Sequence, residues 1–222
     1  MYVVGTPIGN LDDISKRAIK ILSDVDCIVL EDTRVSKKIF SHYNIQNKMI
    51  VYNNFNESRQ WPKILEMLNN GDHIALISDA GTPCISDPGY LLINHCKQKN
   101  IKVFTIPGPT SAIAALSISG LPSENFYFQG FLPKKKGRKS KLEYLKELGC
   151  TIIIFESPKR ISKTLNDIKE HFSGNQMLSI HREMTKLYED NYWGSVDDCI
   201  NHFENSSKCK GEFVMIISKN KK

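Results

Sequence analysis

The segment His73–Gly89 (HIALISDAGTPCISDPG) joins an apolar run to a loop rich in glycine and proline, and a helical pattern begins soon after it. The run predicts a buried strand. A strand, a short loop and a helix in this order are typical of a parallel α/β sheet, in which small molecules bind at the carboxyl ends of the strands. Asp79, Ser86 and Asp87 place two carboxylates and a hydroxyl in the loop, although turn formation needs none of them. The segment therefore predicts both a fold class and a candidate site.

Four further apolar runs in the first half resemble this one, and patterns with helical spacing separate them. Since the runs do not alternate apolar and polar residues, they predict strands covered on both faces, as in a parallel sheet. The expected strands, in chain order, are Tyr2–Val4, Cys27–Leu30, Met49–Tyr52, His73–Ile77 and Val103–Ile106. Helices are expected between them, and a helix of small residues, Ser111–Ser119, follows the last strand.

The second half of the chain is less regular and predicts a mixed sheet. Strands are expected at Phe126–Phe128, Thr151–Phe155, Met177–His181 and Phe213–Ile217, and helices at Ser140–Leu148, Ile161–His171 and Val196–Phe203. The segment Ser119-Gly120-Leu121-Pro122-Ser123-Glu124 marks the expected domain boundary, because glycine and proline interrupt regular structure. The expected domains are an N-terminal α/β domain, 1–119, and a C-terminal α/β domain, 120–222.

The composition predicts a soluble cytoplasmic protein. The chain has 222 residues, 41% of them hydrophobic and 24% charged, with a net charge of +6. Its apolar runs are far shorter than the ~20 residues that span a bilayer, and a strand begins at once without a basic leader. The six cysteines, including Cys209, form no Cys-x-x-Cys pair, and the six histidines do not cluster. We therefore expect reduced thiols and no metal.

Three other polar or glycine-rich segments follow strands of the predicted parallel sheet. They are Gly5-Thr6-Pro7-Ile8-Gly9-Asn10, Glu31-Asp32-Thr33-Arg34 and Pro107-Gly108-Pro109-Thr110-Ser111-Ala112. The carboxyl ends of parallel strands meet at one edge of a sheet, so these segments can frame one pocket with His73–Gly89. Turn geometry and helix capping explain each segment taken alone, and this alternative stays open.

The strongest charge feature is a basic segment near the start of the second half. Lys134, Lys135, Lys136, Arg138, Lys139 and Lys141 lie within eight residues, with no acidic residue among them. Such a segment can neutralise several phosphates of a nucleic acid. It can equally be a solvated loop, and the sequence does not separate these alternatives.

Taken together, the motifs resemble one family. VGTPIGNLDDIS, EDTR, SDAGTPCISDPG, PGPTSA, GFLPKKKGRK, ESPKR, HREMTK and GEFV occur in the order and spacing of the ribosomal RNA small-subunit methyltransferase I family, which belongs to the tetrapyrrole methylase superfamily. The resemblance runs from Val3 to Ile217. It implies a two-domain tetrapyrrole methylase-like α/β fold with a mostly parallel N-terminal sheet, and S-adenosylmethionine in the cleft between the domains. It further implies a homodimer that 2′-O-methylates a cytidine ribose in the decoding region of 16S rRNA, either naked or in the assembled small subunit.

The resemblance also assigns residues by position. The implied cofactor-binding residues are Gly5, Pro7, Ile8, Gly9, Asp79, Ala80, Gly81, Ile85, Thr110, Ser111, Ala112, Glu156, Met184 and Glu212. The residues expected towards RNA are Glu31, Asp32, Arg34, Arg160 and the basic residues Lys134, Lys135, Lys136, Arg138 and Lys139. The chain departs from many relatives by stopping soon after GEFV, which could weaken RNA or ribosome binding, and by carrying His181 where a small residue or cysteine is commoner.

Methyl transfer to a ribose hydroxyl requires the hydroxyl to lose its proton, which suggests a carboxylate as general base. Asp87, Asp32 and Glu31 are the candidates, in no firm order. Two other functions stay open. One is a methyltransferase acting on a tetrapyrrole or another small acidic substrate, since fold does not fix substrate. The other is a non-catalytic ribosome-binding module that kept the fold.

Overall fold

The computed structural model describes residues 1–204 and 210–219, so Cys209 lies outside the described residues. The chain divides into two compact units, of which the first ends at Thr110 and the second begins at Ser111. The division comes nine residues before the boundary expected at Ser119-Gly120. The reason is that the helix starting at Ser111 packs against two strands of the second unit.

The first unit contains one five-stranded sheet in which every pairing is parallel. The strands are β1 (Tyr2–Val4), β2 (Cys27–Leu30), β3 (Met49–Val51), β4 (Ile74–Leu76) and β5 (Phe104–Ile106), in the order β3-β2-β4-β1-β5. The helices are α1 (Lys16–Asp24), α2 (Thr33–His42), α3 (Glu57–Asn69) and α4 (Tyr90–Gln98), with a 3-10 turn at Leu11–Asp13. The predicted parallel sheet is confirmed.

The central strands β2 and β4 of the first unit are buried on both faces, which explains their unbroken apolar runs, whereas the edge strands β3 and β5 are partly exposed. Ile28 and Leu30 of β2 pack in one cluster with α1 and α2. Cys27 and Val29 of the same strand pack in a second cluster with α3 and α4. Because successive side chains of a strand point to opposite faces, the two clusters cover opposite sides of the sheet.

The second unit contains a mixed five-stranded sheet, as predicted. Its elements are α5 (Ser111–Ile118), β6 (Phe126–Phe131), α6 (Arg138–Glu147), β7 (Thr151–Glu156), α7 (Ile161–His171), β8 (Met177–Arg182), β9 (Asp190–Ser195), α8 (Val196–Glu204) and β10 (Phe213–Ile217). The strand order is β6-β7-β10-β8-β9, with β6 parallel to β7 and the remaining pairs antiparallel. One core cluster packs α6, α7 and α8 against this sheet.

The edge strand β9 was not expected from the sequence. Its six residues are two polar residues, two adjacent aromatics, a glycine and a serine, and Trp193 is exposed, so no apolar run marks the strand. The segment is a strand because it pairs with β8 over six residues, not because of its own local propensity. Among the described residues, no helix is long and apolar enough to cross a membrane.

Candidate active site

Gly5 and Gly108 bring the loops after β1 and β5 into backbone contact. A methyl group added to Gly5 would lie 2.7 Å from the α-carbon of Gly108, and one added to Gly108 would lie 2.8 Å from Gly5. Side chains do not approach backbone this closely, so the contact requires glycine at both positions. The loop Gly5–Asn10 (loop A) and the loop Pro107–Thr110 (loop C) therefore meet without an intervening side chain.

Loop A also pairs with the loop after β4, Ser78–Gly89 (loop B). Thr6 and Gly81 exchange two backbone hydrogen bonds, at 2.9 and 3.1 Å. Loop B is in turn tied to loop C, because the Thr82 hydroxyl donates to the carbonyl oxygen of Pro109 at 3.3 Å. The structure thus joins the three loops into one surface at the carboxyl end of the parallel sheet.

In loop B the backbone adopts conformations that residues other than glycine rarely adopt. Cys84 has φ 70° and Ser86 has φ 67°, both in the left-handed region. Each such residue costs on the order of 1–3 kcal/mol and persists only where its surroundings fix it. A methyl group on Gly89 would lie 2.7 Å from Sγ of Cys84, so the loop also closes tightly on itself. Strain of this kind is concentrated at functional turns, which favours loop B as the centre of the site.

Residues of the three loops differ in exposure. Pro7, Ile8 and Gly81 are buried and form the support of the loops. Gly9, Ala80 and Ile85, which is 45% exposed, form their outer surface. Thr110 is the last residue of the first unit; Ser111 starts α5 in the second, where Ala112 is buried.

Asp32 links the acidic segment after β2 to loop B. Its backbone N–H donates to Oδ1 of Asp79 at 3.1 Å. Its own carboxylate caps α2, since Oδ1 accepts from the Arg34 N–H at 2.8 Å, and it also binds the Arg34 guanidinium. The hydrogen bonds from Arg34 lower the pKa of Asp32 to about 2. Asp32 is therefore a weak proton acceptor.

Asp87, Asp79 and Glu31 have the opposite character. Burial raises the pKa of Asp87 to about 6, with a smaller contribution from the charge of Asp79, while a hydrogen bond from Ser78 opposes the shift. Burial also raises the pKa of Asp79. The pKa of Glu31 is raised by burial and by the charges of the three nearby aspartates. A carboxylate with a pKa just below neutral is ionised at pH 7 and still accepts a proton readily, so Asp87 has the properties of a general base.

In the second unit, Glu156 lies inside the fold. Its side chain is fully buried, and Oε1 accepts from the Ser157 N–H at 2.7 Å and pairs with Nε of Arg160 at 3.2 Å. Oε2 accepts from the Thr164 hydroxyl at 2.6 Å. Both oxygens are therefore engaged within the unit.

Met184 and Glu212 lie near each other on two loops that hydrogen-bond together. The Glu183 N–H donates to the Glu212 carbonyl oxygen at 2.9 Å, and the Glu212 N–H donates to Oε1 of Glu183 at 2.8 Å. Lys186 Nζ donates to Oε1 of Glu183 at 3.0 Å and to Oε2 of Glu212 at 2.9 Å. Met184 is buried, whereas the Glu212 side chain is 80% exposed.

The basic residues fall into two classes. Lys134, Lys135, Lys136 and Lys139 are exposed, as expected for a surface that binds phosphates. Arg138 is only 5% exposed, and each of its three guanidinium nitrogens donates to a protein group, so this geometry does not support its expected contact with RNA.

Thr164 and Asp167, which hold Arg138, were missed from the sequence. They lie about thirty residues away along the chain, on α7, and no local motif marks a contact across that separation. Among the described residues, no group of histidine, cysteine and acidic side chains is arranged to hold a metal ion.

Residues 1–198 match the family described as Tetrapyrrole (Corrin/Porphyrin) Methylases. Over 98% of its length, the chain is 42% identical to "Ribosomal RNA small subunit methyltransferase I" of Thermotoga maritima, covering 97% of that protein. The chain belongs to the tetrapyrrole methylase family and, within it, to the ribosomal RNA small subunit methyltransferase I group. The protein of the same name from Vibrio cholerae is 43% identical, and this tetrapyrrole methylase covers 76% of it.

Two solved structures share the fold. Uroporphyrin-III C-methyltransferase from Thermus thermophilus matches with a TM-score of 0.67 at 16% identity, covering 98% of this chain and 93% of that one. Diphthine synthase matches with a TM-score of 0.74 at 9% identity, covering 98% and 88%. At such identities the likeness establishes the α/β fold, which was predicted from the motifs.

Proposed function

We propose that this protein transfers the methyl group of S-adenosylmethionine to the 2′-hydroxyl of a cytidine ribose in the decoding region of 16S rRNA. The observation that carries the proposal is the continuous surface of loops A, B and C beside a carboxylate with a raised pKa. The names of its relatives, at 42–43% identity over 98% of the chain, support an rRNA substrate. The homodimer implied by the resemblance and the cytoplasmic location predicted from the composition stay predictions.

Two features of loops A, B and C support S-adenosylmethionine as the cofactor. The contact between Gly5 and Gly108 holds loops A and C together with no side chain between them, which fixes the shape of this surface. Asp79 offers a carboxylate to a ligand that carries positive charge and ribose hydroxyls. When bound, the cofactor supplies an electrophilic methyl group on a sulfonium. We assign its binding in the first unit to Gly5, Pro7, Ile8, Gly9, Asp79, Ala80, Gly81, Ile85 and Thr110. The cofactor contacts expected from the resemblance for Ser111, Ala112 and Met184 stay predictions.

We assign Asp87 as the general base. In the reaction a C–O bond forms at the ribose oxygen as the S–CH₃ bond breaks, and the hydroxyl proton must move to an acceptor. The Asp87 carboxylate is ionised at pH 7 but binds a proton far more readily than Asp32, whose charge is held by Arg34. The negative charge of Asp79 further favours protonation of Asp87, and burial together with the charges of Asp79, Asp87 and Asp32 raises the pKa of Glu31.

The exposed lysines supply the RNA-binding charge. Lys134, Lys135, Lys136 and Lys139 carry four positive charges on one short segment, enough to neutralise several phosphates. Arg34 is exposed beside the carboxylates, and its guanidinium is shared with Asp32. A tetrapyrrole substrate would not require such a segment, and a non-catalytic module would not require a raised pKa at Asp87.

The general-base assignment is tested by comparing Asp87→Asn with Asp32→Asn in transfer of labelled methyl groups to small ribosomal subunits. Asparagine caps helices as well as aspartate does, so Asp32→Asn keeps the start of α2 intact. We expect Asp87→Asn to lower kcat by about 10²–10⁴-fold, the range of general-base catalysis. Equal losses of activity in the two variants would show that Asp87 is not the general base. If the protein transferred labelled methyl groups to a porphyrinoid but not to the subunits, the tetrapyrrole alternative would be favoured.

A further inference from the structure

Two arginines in the second unit hold the backbone just before the exposed lysines. Nη1 of Arg138 donates to the carbonyl oxygen of Pro133 at 3.1 Å. Nη2 of Arg160 donates to the carbonyl oxygen of Leu132 at 2.7 Å. The lysine segment Lys134–Lys136 therefore directly follows two residues, Leu132 and Pro133, whose carbonyl groups are both fixed by hydrogen bonds.

A buried chain of polar groups connects these arginines. The Thr164 hydroxyl donates to Oε2 of Glu156 at 2.6 Å and accepts from Nη2 of Arg138 at 2.7 Å. Glu156 pairs with Nε of Arg160 at 3.2 Å, and Nε of Arg138 binds Oδ2 of Asp167 at 2.6 Å. The single hydroxyl of Thr164 thus joins two ion pairs into one network.

The charges of the network cancel. Arg138 is balanced by Asp167, and Arg160 by Glu156, so neither arginine is left with an unpaired charge. The Arg138 side chain is 6% exposed and that of Arg160 is 19% exposed, whereas Lys134–Lys136 are exposed to solvent. A bidentate or forked guanidinium fixes geometry in a way that a flexible lysine does not. The arrangement separates residues that hold the segment from residues that present charge.

We propose that Arg138 and Arg160 are positioning residues, linked through Thr164, that fix the path of Lys134–Lys136 for contact with RNA phosphates. Holding the segment in one path before binding lowers the entropy lost when the lysines meet their phosphates. The inference rests on the proposed RNA substrate. It also replaces the direct RNA contact expected for Arg138 and Arg160, and the cofactor contact expected for Glu156.

The network is tested with Thr164→Val, which keeps the shape but removes the linking hydroxyl, and with Thr164→Ser, which restores it. A further variant, Arg138→Lys, keeps the positive charge but loses the hydrogen bonds of the guanidinium to Pro133, Thr164 and Asp167. Each variant is measured for affinity to a small-subunit rRNA fragment, affinity for S-adenosylmethionine, and the rate of tryptic cleavage within residues 134–139. Ile217→Val, in the core of the same unit, controls for loss of stability alone.

We expect Thr164→Val and Arg138→Lys to weaken RNA binding by about tenfold, since a segment that must be ordered on binding loses affinity. Cleavage after the lysines should become faster, S-adenosylmethionine affinity should hold, and Thr164→Ser and Ile217→Val should behave like the wild type. Wild-type RNA affinity and cleavage in Arg138→Lys would overturn the inference, as would equal losses in Ile217→Val. Faster cleavage with unchanged RNA affinity would instead keep the positioning role and reject the proposed RNA contact of the lysines.

Discussion

Gly5 and Gly108 lie in direct backbone contact, so that a methyl group on Gly5 would approach the α-carbon of Gly108 to 2.7 Å. This contact joins loop A to loop C and fixes the edge of the sheet at which we place the cofactor. Neither residue has a positive φ, so close packing rather than backbone conformation demands glycine here.

Gly5→Ala is expected to lower the free energy of unfolding by about 1–3 kcal/mol, the usual cost of overpacking. It should also weaken S-adenosylmethionine binding, because loops A and C must separate to admit the methyl group. Chemical denaturation and calorimetric titration measure the two effects. Gly71→Ala is the control: it has a φ of +98° but open space around it, so it should lose some stability and keep its affinity for the cofactor. If Gly5→Ala kept full affinity for S-adenosylmethionine, the contact between Gly5 and Gly108 would not be part of the cofactor site.

Asp87→Asn should be more stable than the wild type at pH 8 and equally stable near pH 3. The pKa of Asp87 is raised from 3.8 to about 6, so the folded protein binds the extra proton between these values. The free energy of unfolding of the wild type therefore falls as the pH rises between these two values, whereas that of Asp87→Asn does not. The fall is about 3 kcal/mol without solvent screening and about 1–2 kcal/mol with it. Urea denaturation of both proteins from pH 3 to 8 measures the difference. A constant difference across this range would show that Asp87 titrates normally.

Replacing Lys134, Lys135 and Lys136 together by glutamine should weaken RNA binding and reduce its salt dependence. Each phosphate contact contributes about 0.7–0.9 to the slope of log affinity against log salt, so the loss of three contacts should lower the slope by about two. Filter binding between low and physiological salt gives the slope. The exposed lysines Lys16, Lys20 and Lys63 of the first unit provide a control with the same change in charge. An equal loss of slope in both triple variants would mean that only net charge matters.

Glu156→Gln should lower the free energy of unfolding by about 3–5 kcal/mol, because it leaves Arg160 without its buried partner. S-adenosylmethionine affinity of the folded protein should change little, since both Glu156 oxygens are engaged within the second unit. Thermal unfolding and equilibrium dialysis separate the two effects. Glu170→Gln, on the exposed surface of α7, is the matched control. A large loss of cofactor affinity at full stability would restore the cofactor role first expected for Glu156.

The parallel sheet was predictable because its central strands, β2 and β4, are buried on both faces and therefore appear as unbroken apolar runs. Cys27–Leu30 and Phe213–Ile217 were predicted with the bounds that the structure gives. The edge strand Asp190–Ser195 was not predicted, because cross-strand pairing rather than its own composition makes it a strand. Loops A, B and C were predicted as one site from their position after parallel strands.

The roles of individual charged residues were harder to predict. Asp32 and Asp87 have the same side chain, and only the structure separates them, through the Arg34 hydrogen bonds of one and the burial of the other. Arg138 lies in a basic run and was grouped with its neighbours. Arg138 is buried in an ion pair with Asp167, and only tertiary packing brings these two residues together. Charge patterns show that a basic segment exists, but not which of its members face solvent.

The most direct test is to incubate the purified protein with methyl-labelled S-adenosylmethionine and unmodified small ribosomal subunits, then digest the rRNA and map the label. We predict label on the ribose of a single cytidine in the decoding region, recovered in an alkali-resistant dinucleotide because 2′-O-methylation blocks cleavage at that position. Asp87→Asn should give little label under the same conditions. Label on a base, or no label while the protein binds S-adenosylmethionine, would contradict ribose methylation of rRNA as the function of this protein.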